Sequence, residues 1–233
     1  MSRLSDAHHT RKMIAGCCMV ASPLLLLIGS VLHPDVKSDE AAQLRVVADN
    51  LDQWLVAHLF ILVSIALAVP AFLGLMYMLR EREVAYGHVG GGLAVLGLMA
   101  LVGIVTLELV TWQMAATGNQ AANAALLDRI DNTAAIVIPF FVVAFAFMLG
   151  MTVLAVGLYR ARAVQSWMAA FLVVASVLLV LEFALTSVVA GIIGAAFLFV
   201  GLGSIGRMVL GESDEAWEHT PEISGFRPLP GMR

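Results

Sequence analysis

Charge is scarce in this 233-residue chain. Asp, Glu, Lys and Arg together make up 13% of it, against 61% hydrophobic residues. A soluble domain carries about a quarter charged residues, so a fold with water on every side is excluded. The net charge of −4 says little, because the charges sit at the ends and in a few loops. No basic patch with interleaved aromatics is present, which excludes nucleic acid as a partner. Cysteine is almost absent: Cys17 and Cys18 are adjacent in an apolar run and point to different sides of a helix. Without a CxxC spacing, thiol redox chemistry and a structural zinc site have no basis. No Ser/His/Asp order, P-loop or dinucleotide fingerprint occurs either.

What the chain does have is long apolar runs. They predict an all-α polytopic membrane protein, a single bundle of six transmembrane helices. Residues 1–12 form a polar, basic segment; 13–210 carry the spans; 211–233 form an acidic, then Pro/Gly-rich tail that reads as solvated. The run 13–32 is too long for a signal-peptide core and has no small-x-small site after it, so it reads as an uncleaved anchor. Spans follow at 54–79, with Pro70 predicting a kink, at 89–113 and at 133–159. The 44 residues 167–210 are too long for one span and fit two with a tight turn near 187–191.

Two stretches leave the membrane. In 33–53, His33-Pro34-Asp35 reads as a turn and Ser38 as a helix cap. Leu44, Val47, Ala48 and Leu51 then form one stripe of a short amphipathic surface helix. In 114–132, Ala122, Leu126, Leu127 and Ile130 make a weaker stripe. Arg3, Arg11, Lys12, Arg80, Arg82, Arg160, Arg162 and Arg207 fall on the side of the N-terminus, and only Lys37, Arg45 and Arg129 on the other. The positive-inside rule therefore places both termini in the cytoplasm. Gly74 with Arg80-x-Arg82 echoes Gly157 with Arg160-x-Arg162, a hint that spans two–three and four–five are duplicated hairpins.

Arg80-x-Arg82 with Tyr86-Gly87-x-Val89-Gly90, and Leu158-Tyr159-Arg160-x-Arg162-x-Val164-x-x-Trp167, resemble patterns in a domain-of-unknown-function family of small six-span bacterial membrane proteins. The resemblance covers short pieces flanking loops. It implies a multi-pass protein of the bacterial inner membrane and carries no activity or site.

Carboxylates at membrane depth are costly, at about 2.5–3.5 kcal/mol each on insertion scales, and tend to mark function. Glu108 in VTLELVTWQ and Glu182 in VLEFALT each lie just inside the same end of a span, with Thr111 and Thr186 on their faces. His58 lies one turn into the second span from that end, and His33 closes the first. Three readings stand. The glutamates are protonated and hydrogen-bonded to each other, to threonine hydroxyls or to backbone. Alternatively, Glu108, Glu182, His58, Thr111 and Thr186 form an outer-leaflet pocket, roofed by 38–52 and 114–131, that binds or transports a small ligand or ion with proton coupling. Or His58, Glu108, Glu182 and His33 hold a metal ion or haem in an enzyme or redox protein, although no His-x-x-x-His or Glu-x-x-His spacing supports it. A non-catalytic accessory subunit of a larger membrane complex, or a homo-oligomer, completes the set of expectations.

Overall fold

The computed structural model describes residues 2–221. Among the described residues every regular element is a helix, and six helices are long and apolar enough to span a membrane: α1 (Ser2–Leu32), α3 (Leu51–Met78), α4 (Val84–Ala116), α6 (Ala134–Arg160), α7 (Ser166–Leu185) and α8 (Val188–Gly211). Two short amphipathic helices, α2 (Glu40–Asp49) and α5 (Gln120–Asp131), lie over one end, and a single-turn helix, α9 (Asp214–Trp217), lies at the other.

Boundaries move by a few residues from the sequence reading. The basic N-terminal segment is not separate, because α1 runs without interruption from Ser2 through Pro23 to Leu32. The helix continues through Pro70 and Pro139 as well. Asp39, not Ser38, caps α2, its carboxylate accepting from the Ala42 amide at 2.8 Å. The stripe of α2 is real: Leu44 and Val47 are fully buried with Trp54, Ala115 and Leu127, and Ala48 and Leu51 pack against them. The turn between α7 and α8 is only Thr186-Ser187. Thr186 has φ 47°, in the left-handed region that a β-branched residue rarely adopts.

Each spanning helix packs on its sequence neighbours, and α8 returns to α1, closing a ring in the order α1, α3, α4, α6, α7, α8. Glycines set the tightest contacts. A Cβ on Gly150 of α6 would stand 2.6 Å from the Gly90 carbonyl oxygen and 2.8 Å from Ala94 Cα, and one on Gly90 would stand 2.7 Å from the Leu154 amide nitrogen. Helices α4 and α6 thus meet backbone to backbone, the way membrane helices associate without a hydrophobic drive. Gly206 of α8 meets the Gly16 carbonyl of α1 in the same manner. The echoed glycines do different work: Gly74 faces Ala15 and Met19 of α1, whereas Gly157 faces Tyr86 and Leu79.

The ring is solid at the end that carries the termini. Met19, Leu75, Met78, Met151, Leu154, Leu158 and Leu172 are fully buried there. The tail is not free in solvent over residues 212–221, as its composition suggested. Trp217 is buried on Tyr77, with ring centroids 5.2 Å apart. Arg80 donates to the Trp217 carbonyl at 2.9 Å, and Lys12 donates to the Glu212 carbonyl at 2.8 Å and pairs with Asp214. Hydrogen bonds from Lys12 and His9 hold the Asp214 carboxyl below its usual range. Residues 222–233 of the tail lie outside the described residues.

Candidate functional site

Away from that packed end the ring is hollow. A chamber of about 300 Å³ lies on its axis, lined from all six spanning helices and floored by Phe72 and Leu202. Most of the wall is Leu, Ile, Val, Phe and Ala; the polar groups are Ser22, Ser30, Ser64, His33, His58, Glu108, Glu182, Thr186 and Ser187. Above it, between α2, α5 and the ends of α4 and α7, a second cavity of about 700 Å³ is lined by Asp39, Glu40, Thr111, Asp128 and Asp131. Val36, Glu108 and Thr186 line both. An apolar chamber therefore opens into an acidic vestibule, with Glu108 at the junction.

The histidines are oriented by backbone. His58 Nδ1 lies 2.7 Å from the Trp54 carbonyl and His33 Nδ1 lies 2.7 Å from the Pro34 carbonyl. A carbonyl only accepts, so Nδ1 carries the proton in each ring and Nε2 is left as an acceptor. The two rings and Trp54 form one cluster, His33 to His58 at 4.8 Å and Trp54 to His58 at 4.6 Å between centroids. Trp54 also donates its indole N–H to the Glu108 carbonyl at 3.1 Å, tying α3 to α4 at the chamber mouth. His58 is 98% buried, its residual exposure being 2%. Burial pushes the His33 imidazole below its usual range, against the upward pull of the Pro34 hydrogen bond.

Both glutamates face the chamber, and they are not partners. The carboxylates that act electrostatically on Glu108 are Asp131 and Glu40, not Glu182. Glu182 packs its carboxyl against Gly191 of α8, where a Cβ would collide with it. Neither glutamate side chain makes a hydrogen bond or ion pair among the described residues. Thr111 spends its hydroxyl on the Leu107 carbonyl and Thr186 on the Leu185 carbonyl. The picture of two glutamates satisfied by each other or by these threonines is therefore not what the structure contains. Nor is a metal centre assembled: among the described residues no three His, Cys, Asp or Glu side chains are gathered so that they could hold an ion. His33 and His58 come together, while Glu108 and Glu182 stand on walls of the ring that are not adjacent. No residue pattern here identifies a haem site.

Sequence reasoning placed a roof of 38–52 and 114–131 over the pocket but missed the acidic residues that line it, since no spacing relates Glu40 to Asp131. In the fold they meet. Burial first, then a hydrogen bond with Asp131 and the charges of Asp131, Asp128 and Asp39, raise the Glu40 carboxyl to about 7. Glu40 is thus the vestibule carboxyl held protonated toward neutrality. Trp54 is the buried support of both histidines and Glu108.

No family model, curated protein or solved structure matches the chain, so function has to be argued from this geometry.

Proposed function

We propose that the chain is a multi-pass membrane protein that binds a small cationic amphiphile. Its apolar part fills the chamber and its hydrogen-bond-donating end lies at Glu108, Glu182 and the vestibule. We place this site in the outer leaflet of a bacterial inner membrane, with both termini cytoplasmic, on the strength of the distribution of basic residues. The observation that carries the binding reading is the lining itself. It is an apolar chamber with two carboxyls and two imidazole Nε2 acceptors that no protein group bonds among the described residues. They face the cavity, where a donor-bearing ligand can bond them. A bare ion does not fit so apolar a wall, and no protein cage surrounds one. The volume is about twice the roughly 150 Å³ that admits benzene, and at the small end of the roughly 300–1,000 Å³ range of ligand pockets.

The packed end argues for binding rather than open conduction in this conformation. Proton uptake by Glu40 and the chamber glutamates would expel a cation, so release against protonation would make the protein a proton-coupled carrier. The test is saturable quenching of tryptophan fluorescence in nanodiscs by 8-bromooctylammonium, with 8-bromooctanol as the uncharged control. The ammonium should bind more tightly than the alcohol. Glu108→Gln and Glu182→Gln should each weaken it by roughly tenfold, about 1.4 kcal/mol, without changing the alcohol. A Leu double variant that is stable and binds the ammonium like the unaltered protein would refute the proposal.

A further inference from the structure

Among the described residues, one seam of the chamber wall lacks the packing seen at the others. Helices α6 and α7 run antiparallel from the turn between Arg160 and Ser166. Phe147 and Leu179, each thirteen residues from its own turn-side end, are buried and mark one level of that seam. Beyond that level neither helix has a buried residue: all those of α6 fall within 147–158 and all those of α7 within 168–179. The α4/α6, α1/α3 and α7/α8 seams carry glycine contacts beyond this level or close to it, at Gly103, Gly29 and Gly191. No glycine of the α6/α7 seam makes such a contact. Over the last six residues of α7, about 9 Å at 1.5 Å per residue, this seam has neither a buried residue nor a glycine contact.

Phe183 fixes what this gap connects. It lines the chamber and yet is 42% exposed. Phe183 is thus a lining side chain with much accessible surface, at the level where the seam has no buried residue. Ala144, at the same depth on α6, lines the chamber opposite it. The outer surface around this opening is Phe141, Val142, Phe145, Leu181 and Leu185, all exposed apolar side chains, which belong against hydrocarbon and not water. Glu182 is the first charged group inside.

We propose that the ligand enters sideways, from the hydrocarbon of the bilayer, through a portal between the outer halves of α6 and α7 gated by Phe183. The substrate class is then a lipid-phase amphiphile and not a water-soluble cation arriving through the vestibule. This rests on the binding reading above. The vestibule is where the charged end comes to rest, since Glu108 lines both cavities.

The experiment follows association of 8-bromooctylammonium with the full-length protein in nanodiscs by stopped-flow tryptophan quenching. Three variants are compared. Ala144→Phe narrows the portal and should slow both association and dissociation, roughly tenfold, as an over-packed side chain in a passage does, with little change in the equilibrium constant. Phe183→Ala removes the gate and should speed both. Ala125→Phe, on the vestibule wall and away from the chamber, should leave the association rate unchanged. Slowing by Ala125→Phe with none from Ala144→Phe would overturn the portal and assign the route to the vestibule. Unchanged rates in all three would overturn it too. Absence of saturable quenching in the unaltered protein would remove the binding reading itself, and the portal with it.

Discussion

Glu40 offers the sharpest test of the vestibule. Its carboxyl sits at about 7 in the folded protein, against an ordinary value of 4.5. Between those values the folded chain holds a proton that the unfolded chain has lost. Stability is then fully present at and below about pH 4.5 and declines as pH rises through 7. A fully buried group displaced this far would contribute more, but Glu40 is half-exposed, and solvent screening reduces the loss to about 1 kcal/mol. For a chain of this size that is about 2–4 °C in Tm. Other groups titrate in the same range. His33, held low by burial, works the other way, since its folded form resists protonation and gains stability as pH rises. The difference between two proteins isolates Glu40. Glu40→Gln keeps a donor toward Asp131 at every pH, as the protonated carboxyl does. The two proteins should melt together at pH 5, and the variant should melt about 2–4 °C higher at pH 8, measured by intrinsic fluorescence in detergent. A Tm difference that does not change with pH, or a wild type that is the more stable at pH 8, would show that Glu40 does not hold its proton toward neutrality and that the vestibule is not assembled as described.

Three further outcomes are expected. Gly150→Ala forces α4 and α6 apart against backbone that cannot rotate away, and should destabilise by about 1–3 kcal/mol, read as a lower Tm. Trp217→Ala removes the buried anchor of the tail and should cost about 3–5 kcal/mol. It should also expose the segment 211–221 to added protease, and a tail that stays protected would refute the docking. Single cysteines at Asp39 and Asn123, in a chain with Cys17 and Cys18 replaced by Ala, should react with an impermeant thiol reagent in intact spheroplasts while one at Glu81 should not; the reverse pattern would invert the proposed topology.

The sequence by itself determined what one helix can know alone. Apolar length set six spans to within a few residues, and the stripe at Leu44, Val47, Ala48 and Leu51 set the surface helix. Counting along each span put His33, His58, Glu108 and Glu182 near one end. Length and hydropathy are local quantities, and depth follows from them at a fixed rise per residue. Azimuth does not. Nearly every residue of a span is apolar, so no polar stripe says which side faces inward, and the rotation of each helix is decided by where neighbouring backbones can approach. Gly90 against Leu154, Gly150 against Ala94 and Gly206 against Gly16 make those choices. They close the ring, put Glu182 on Gly191 instead of on Glu108, and leave the α6/α7 seam without a buried residue beyond Phe147 and Leu179. Only the tertiary structure decided, too, that Glu40 meets Asp131 and that Trp217 returns to Tyr77. Those pairs are 91 and 140 residues apart in the chain, and charge or aromaticity at one position carries no record of its distant partner.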